Sequence, residues 1–119
     1  MYDHIGLKVK DIEASVRFYS AALAPLGFVL ASKDASGAGF GPKDAPAFWL
    51  VVDPSARGET HVAFRASERK AVDGFFRGAV GAGGKDNGPP GVRADYAPTY
   101  YAAFVRDPDG NNVEAVCTR

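Results

Sequence analysis

His4 and His61 are the only two histidines of the 119-residue chain, and both open copies of one pattern, His4-Ile-Gly-Leu-Lys-Val and His61-Val-Ala-Phe-Arg-Ala. Near the C-terminus, alternation in Asn112 to Cys117 sends Val113, Ala115 and Cys117 to one face and Glu114 to the other. Glu114 thereby falls on the kind of face the two histidines take. Two imidazoles and one carboxylate from separate strands, with coordination positions left open, suit Fe(II), Mn(II) or Zn(II) chemistry. The competing reading makes the histidines repeat-related residues at strand starts and Glu114 an exposed strand acid.

The repeat runs on without a gap. Asp11 aligns with Glu68, Ala14 with Ala71, Phe18 with Phe75, Tyr19 with Phe76, Ala22 with Ala79, Leu23 with Val80 and Gly27 with Gly84. Two long copies do not make a stacked solenoid. They predict one domain, 1–119, of two related halves, about 1–53 and 60–119, joined by a linker too short to separate them.

The elements that must position the histidines follow from periodicity. Ile5, Leu7 and Val9 alternate with His4, Gly6 and Lys8, which predicts a strand over 2–9 covered on the face away from His4. Asp11 caps the helix that covers it, with Ile12, Val16, Tyr19 and Leu23 at helical spacing before Pro25 and Gly27 stop it. Strands are expected over 28–31, 36–41 and 47–52. The second half restarts at Thr60, with a helix from an N-cap at Ser67 to Val80, ended by Gly81, Gly83 and Gly84. Lys85 to Pro98, rich in proline and glycine, is predicted as a long loop with a short strand near 92–96, of the sort that borders sites. Tyr100 to Val105 and Asn112 to Cys117 are the closing strands, separated by the turn Asp107-Pro108-Asp109-Gly110.

Composition narrows the function. Fourteen basic and fourteen acidic residues leave no net charge and no basic patch for nucleic acid, so a small neutral or weakly charged ligand is the expected partner. Cys117 is the only cysteine, which excludes an intrachain disulfide and a Cys-based zinc site; its parity assigns it to the core. No apolar run approaches the roughly 20 residues of a membrane helix, and the N-terminus lacks a signal-peptide pattern. A cytoplasmic location is expected.

Other residues share the faces of interest. Parity with Ala103 and Val105 gives Tyr101 to the core and makes Tyr100 the phenol available as general acid or hydrogen-bond donor to substrate. Lys8 and Arg65 are repeat equivalents, and Arg93 sits in the long loop. Each could favour an anionic or oxygen-rich ligand, and each is equally explained as a solvated surface charge.

With these residues in view, the chain resembles the vicinal oxygen chelate superfamily of glyoxalase I, extradiol dioxygenases, fosfomycin-resistance enzymes and bleomycin-binding proteins. The matching segments are Asp3 to Asp11, the helix with Phe18-Tyr19 and Leu26-Gly27, Thr60 to Phe64, and Asp107 to Glu114. The resemblance implies an α+β fold of two paired βαβββ modules whose sheets curl around a cleft. It places His4, His61 and Glu114 at metal-ligand positions for one divalent ion, Mn, Fe, Zn or Ni. The fourth family position falls on Trp49, which cannot ligate, so a four-ligand glyoxalase I site is disfavoured and Trp49 becomes an aromatic wall for substrate or an ordinary packing residue.

Implied with this is an enzyme, a lyase, transferase or dioxygenase, that chelates adjacent oxygens of a small substrate. The alternative is a metal-free binding protein of the bleomycin-resistance kind. Homodimerisation is implied too, and with it the question of whether His4 joins His61 and Glu114 within one chain or across two.

Overall fold

The computed structural model describes residues 1–119. Nine strands and two helices run in the order β1 (Ile5–Val9), α1 (Ile12–Leu23), β2 (Val29–Asp34), β3 (Gly37–Gly41), β4 (Phe48–Val52), β5 (His61–Arg65), α2 (Arg69–Gly81), β6 (Lys85–Asp86), β7 (Gly91–Val92), β8 (Tyr101–Arg106) and β9 (Asn112–Cys117). The first sheet has the order β1-β4-β3-β2, the second β5-β9-β8-β6, with β7 also on β8. In each, the opening strand lies parallel to the closing one: Gly6 faces Trp49 in the first sheet, and Ala63 faces Glu114 in the second. The sequence repeat is therefore a repeat of topology, strand, helix and returning strands, and the α+β class expected above is the one observed.

Helix α1 begins where Asp11 accepts the amides of Glu13 and Ala14, at 3.0 and 3.2 Å, and it buries Phe18, Tyr19, Ala22 and Leu23. It gives way to a short 3-10 turn, Ala24–Leu26, closed by Gly27 at φ +88°, a left-handed conformation that costs glycine little. Helix α2 departs from expectation at its start. Its N-cap is Glu68, not Ser67, and no side chain caps it, so packing of Ala71, Val72, Phe75 and Ala79 must hold it.

The two helices pack on each other, and α2 yields side-chain volume to let this happen. A Cβ on Gly78 would lie 2.4 Å from the backbone oxygen of Ala21, and one on Gly74 would lie 2.9 Å from Pro25 Cβ. Aromatic contacts then cross the molecule. Tyr19 meets Phe48 at 5.1 Å and Phe48 meets Phe64 edge-on at 5.0 Å, so α1, β4 and β5 share one core.

The Asp107-to-Asn111 turn is a buried polar hub. Asp107 Oδ1 accepts the amides of Asp109, Gly110 and Asn111, each at 2.9 Å. Its Oδ2 accepts Asn111 Nδ2 at 2.9 Å and the Tyr19 hydroxyl at 2.6 Å. The same turn reaches outward, with Asp109 Oδ1 accepting Lys10 N and Asn111 Oδ1 accepting Thr60 N, both at 3.0 Å. Burial first, and Asp107 second, raise the Tyr19 pKa well above the usual phenol value.

The long loop is more ordered than its composition predicts. β6 and β7 each pair briefly with β8, and the strand expected near 92–96 ends at Val92. From Arg93 the chain turns instead, as the Tyr96 and Ala97 amides bond the Arg93 carbonyl. Tyr100 precedes β8 rather than opening it. Cys117 is buried, as its parity requires.

Gly78→Ala should cost about 1–3 kcal/mol, since the new methyl must push α1 and α2 apart; urea denaturation measures it, and an unchanged midpoint contradicts the close approach. Folded Tyr19 keeps its proton where the unfolded chain releases it, so its contribution is complete below pH ~10 and declines as pH rises further. Tyr19→Phe should lose about 2 kcal/mol at neutral pH and show a shallower alkaline decline than the parent in urea titrations at pH 8 and pH 11.

Candidate functional site

The face of the second sheet away from the helices carries the densest chemistry. His61 opens β5, Asn112 opens its parallel neighbour β9, and the register sets them side by side. The His61 Nδ1 lies 3.0 Å from the Asn112 carbonyl oxygen, an acceptor, so Nδ1 is the protonated donor. Its Nε2 lies 3.1 Å from Glu114 Oε1. The other carboxylate oxygen, Oε2, accepts the Tyr100 hydroxyl at 2.5 Å.

Burial differs sharply across this pair. The Glu114 side chain is 4% exposed, whereas that of His61 is 51% exposed. One side of the site is therefore desolvated and the other is open to an incoming ligand. Desolvation, then the hydrogen bond and charge of Glu114, push the Tyr100 pKa up to about 12, so the phenol remains a donor throughout the neutral range. Its neighbour Tyr101 points to the helix side, where it donates to Asp73 Oδ1 at 2.6 Å and carries the Arg69 guanidinium over its ring.

Phe104 completes the surface. It faces Glu114 in register across β8 and β9, and its ring stacks with His61 at 6.4 Å and 24°. Arg93 lies over the same ring, 5.4 Å from its centroid. Tyr96 stands edge-on to Tyr100 at 5.0 Å, and Asn87 Nδ2 bonds Asn112 Oδ1 at 3.1 Å.

His4 lies elsewhere. It is exposed, just ahead of β1, and its Nδ1 sits 2.6 Å from Asp3 Oδ1. No three His, Cys, Asp or Glu side chains gather within the chain as a metal-holding group. The expected triad is thus split within one chain, with His61 beside Glu114 and His4 apart. His4 instead borders an apolar pocket of about 180 Å³ whose walls include Leu23, Phe28, Phe40, Phe48 and Phe64.

The remaining sequence candidates are dispersed. Trp49 is half-buried on the first sheet, its indole lying flat across Gly39, where any Cβ would come within 2.6 Å of the ring. Lys8 pairs with Asp53 at 3.6 Å, and Arg65 is exposed. Phe104, Asn112 and Tyr96 were missed by sequence reasoning. Phe104 shares the parity of Tyr100, a signal that could have found it, whereas Asn112 acts through its carbonyl and Tyr96 sits in a turn without periodicity.

The fold has counterparts among solved structures. A glyoxalase/bleomycin resistance protein from Albidiferax ferrireducens superposes with a TM-score of 0.85 at 26% identity, over 100% of this chain and 99% of that one. A glyoxalase/bleomycin resistance protein/dioxygenase family enzyme from Burkholderia phytofirmans matches at 0.74 and 16%, over 98% of both chains. The E144Q mutant of glyoxalase I from Zea mays matches at 0.72 and 24%, over 97% of this chain but 46% of that one. No curated protein matches the chain. The sequence profile of the Glyoxalase/Bleomycin resistance protein/Dioxygenase superfamily covers residues 2–115. By that match and by its fold, the chain belongs to this superfamily.

Proposed function

We propose that the chain is a metal-dependent enzyme acting on a small oxygen-rich substrate, with one divalent ion held by His61 and Glu114 of one copy and His4 of a second. The observation that carries this reading is the contact between His61 Nε2 and Glu114 Oε1. With Nδ1–H spent on the Asn112 carbonyl, Nε2 is the ring nitrogen left to face a carboxylate oxygen 3.1 Å away. Two acceptors at that distance repel unless a cation or an added proton sits with them. A histidine whose second nitrogen is anchored on a backbone carbonyl is the usual arrangement behind a metal ligand.

The ion's identity among Mn, Fe, Zn and Ni is left to measurement; when bound it supplies Lewis acidity toward adjacent substrate oxygens. The chain's own residues do the rest. Glu114 is fixed by the Tyr100 hydroxyl, and Tyr100, kept neutral, serves as proton donor to the reacting group once its single O–H turns from Glu114 to the substrate. Phe104 holds the His61 ring in plane. Trp49 and Arg93 are the substrate contacts of this reading, Trp49 as an aromatic wall and Arg93 as a cation.

A second copy is needed because His4 is absent from the His61–Glu114 pair. Ile5, Val29, Leu30 and Val51 of the first sheet are 38–47% exposed, which is apolar surface that a homodimer would cover. The maize chain is long enough for two units of this size. In this reading each chain is one domain of two modules, about 1–53 and 60–119. No helix is long and apolar enough to cross a membrane, and the cytoplasm is the location this reading assigns to the enzyme.

The apolar pocket beside His4 favours a second reading, a metal-free binding protein for an apolar small molecule or antibiotic. Thermal stabilisation by such a ligand, unaffected by EDTA and by His61→Ala, would select it over the enzyme.

Protein purified without chelator should bind one Mn(II), Fe(II), Zn(II) or Ni(II) per chain by elemental analysis or calorimetry, and Glu114→Gln should weaken the metal at least roughly tenfold. Failure to bind any of the four at stoichiometry rejects the metal reading. Mixing His4→Ala with Glu114→Ala chains should restore metal to about a quarter of the sites, since random pairing makes half the dimers mixed and each mixed dimer has one intact site. No recovery would contradict a site shared between two copies.

A further inference from the structure

Arg93 is held as a fixed cation with no counter-ion. Its Nη1 donates to the Gly91 carbonyl at 3.0 Å and its Nη2 to the Pro89 carbonyl at 2.7 Å, while the guanidinium lies over Phe104. It takes part in no ion pair. Guanidinium carries five N–H donors, so most of its donor edge remains free. The backbone is tied down at the same residue, since Arg93 N donates to the Tyr100 carbonyl at 2.7 Å and its own carbonyl accepts from Tyr96 and Ala97.

Two glycines give way to this side chain. A Cβ on Gly88, at φ +147°, would lie 3.2 Å from Arg93 Nη2 and 3.1 Å from Phe104 Cδ1. One on Gly91 would lie 3.2 Å from Arg93 Nη1. The loop is shaped so that cation and ring stay in contact, and that ring is the one stacked on His61. A rigid, half-desolvated, unpaired guanidinium is already organised for a planar oxyanion, because little side-chain freedom remains to be lost on binding.

We propose that Arg93 is the anion-binding residue of this site, so that its ligand is a small organic anion whose carboxylate or phosphate-type group docks on the guanidinium while its other oxygens reach toward His61 and Glu114. The proposal deepens the metal-enzyme reading and rests on it only for what those other oxygens meet. The bland alternative is a loop staple, an arginine present to satisfy two carbonyls and cover Phe104.

Oxalate and its neutral isostere oxamide, titrated into EDTA-treated protein and followed by NMR at the Arg93 Nε–H and backbone amides, separate the two. Oxalate should give a saturable shift centred on Arg93 and Phe104, and oxamide none. Arg93→Gln should weaken oxalate at least roughly tenfold with the amide spectrum otherwise folded, and Arg93→Lys should retain part of the affinity. Gly88→Ala keeps the charge but displaces it, and should also lose affinity. No saturable response in the parent protein, or equal oxalate affinity in Arg93→Gln, overturns the proposal. Mn(II) binding by parent and Arg93→Gln proteins without oxalate is read separately. Loss of metal binding in the parent with the oxalate response intact would sink the metal reading alone.

Discussion

One buried carboxylate organises the molecule. Asp107 accepts five hydrogen bonds, three from the amides of its own turn, one from Asn111 and one from the Tyr19 hydroxyl. A buried acid left short of donors would be costly, and here every donor comes from an element that must be in place. The hub thereby joins the β8–β9 turn to α1, and through Asp109 and Asn111 it also grips Lys10 and Thr60. Thr60 immediately precedes β5, so the turn sets where β5 starts beside β9.

That register also decides which side chains meet His61. Because β5 and β9 are parallel with His61 opposite Asn112 and Ala63 opposite Glu114, the imidazole reaches diagonally, one nitrogen to the Asn112 carbonyl and the other to the Glu114 carboxylate. A slip by one residue would send Glu114 into the core. The stabilising hub and the His61–Glu114 pair are therefore coupled through a single strand pairing. Tyr100 and Phe104 then close the desolvated side, while half of the His61 side chain remains open.

Much of the fold was legible because its signals are local. The strand alternation around Leu7 and Val9, the helical spacing from Ile12 to Leu23 and the repeat relating the halves are all fixed by burial of one face. The N-cap of α2 was not, since Ser67 is the cap that residue type favours, yet Glu68 takes the position and no side chain makes the bond. The loop after α2 was also opaque. Its two short strands exist because β8 offers unpaired edge groups, a tertiary cause invisible in a stretch of proline and glycine.

For the site, parity separated Tyr100 from Tyr101 and put Glu114 off the core, but it could not say which faces meet. His4 has the same strand-face logic as His61 and still lies apart from it within the chain. Spacing along a chain carries no information on a neighbour supplied by another copy. Crystals grown with Mn(II) and measured at an anomalous wavelength test the central claim most directly. The account predicts one peak per chain within bonding distance of His61 Nε2, the Glu114 carboxylate and His4 of a second copy. A crystal with no peak at the His61–Glu114 pair, or with an ion there and every His4 remote from it, would contradict it.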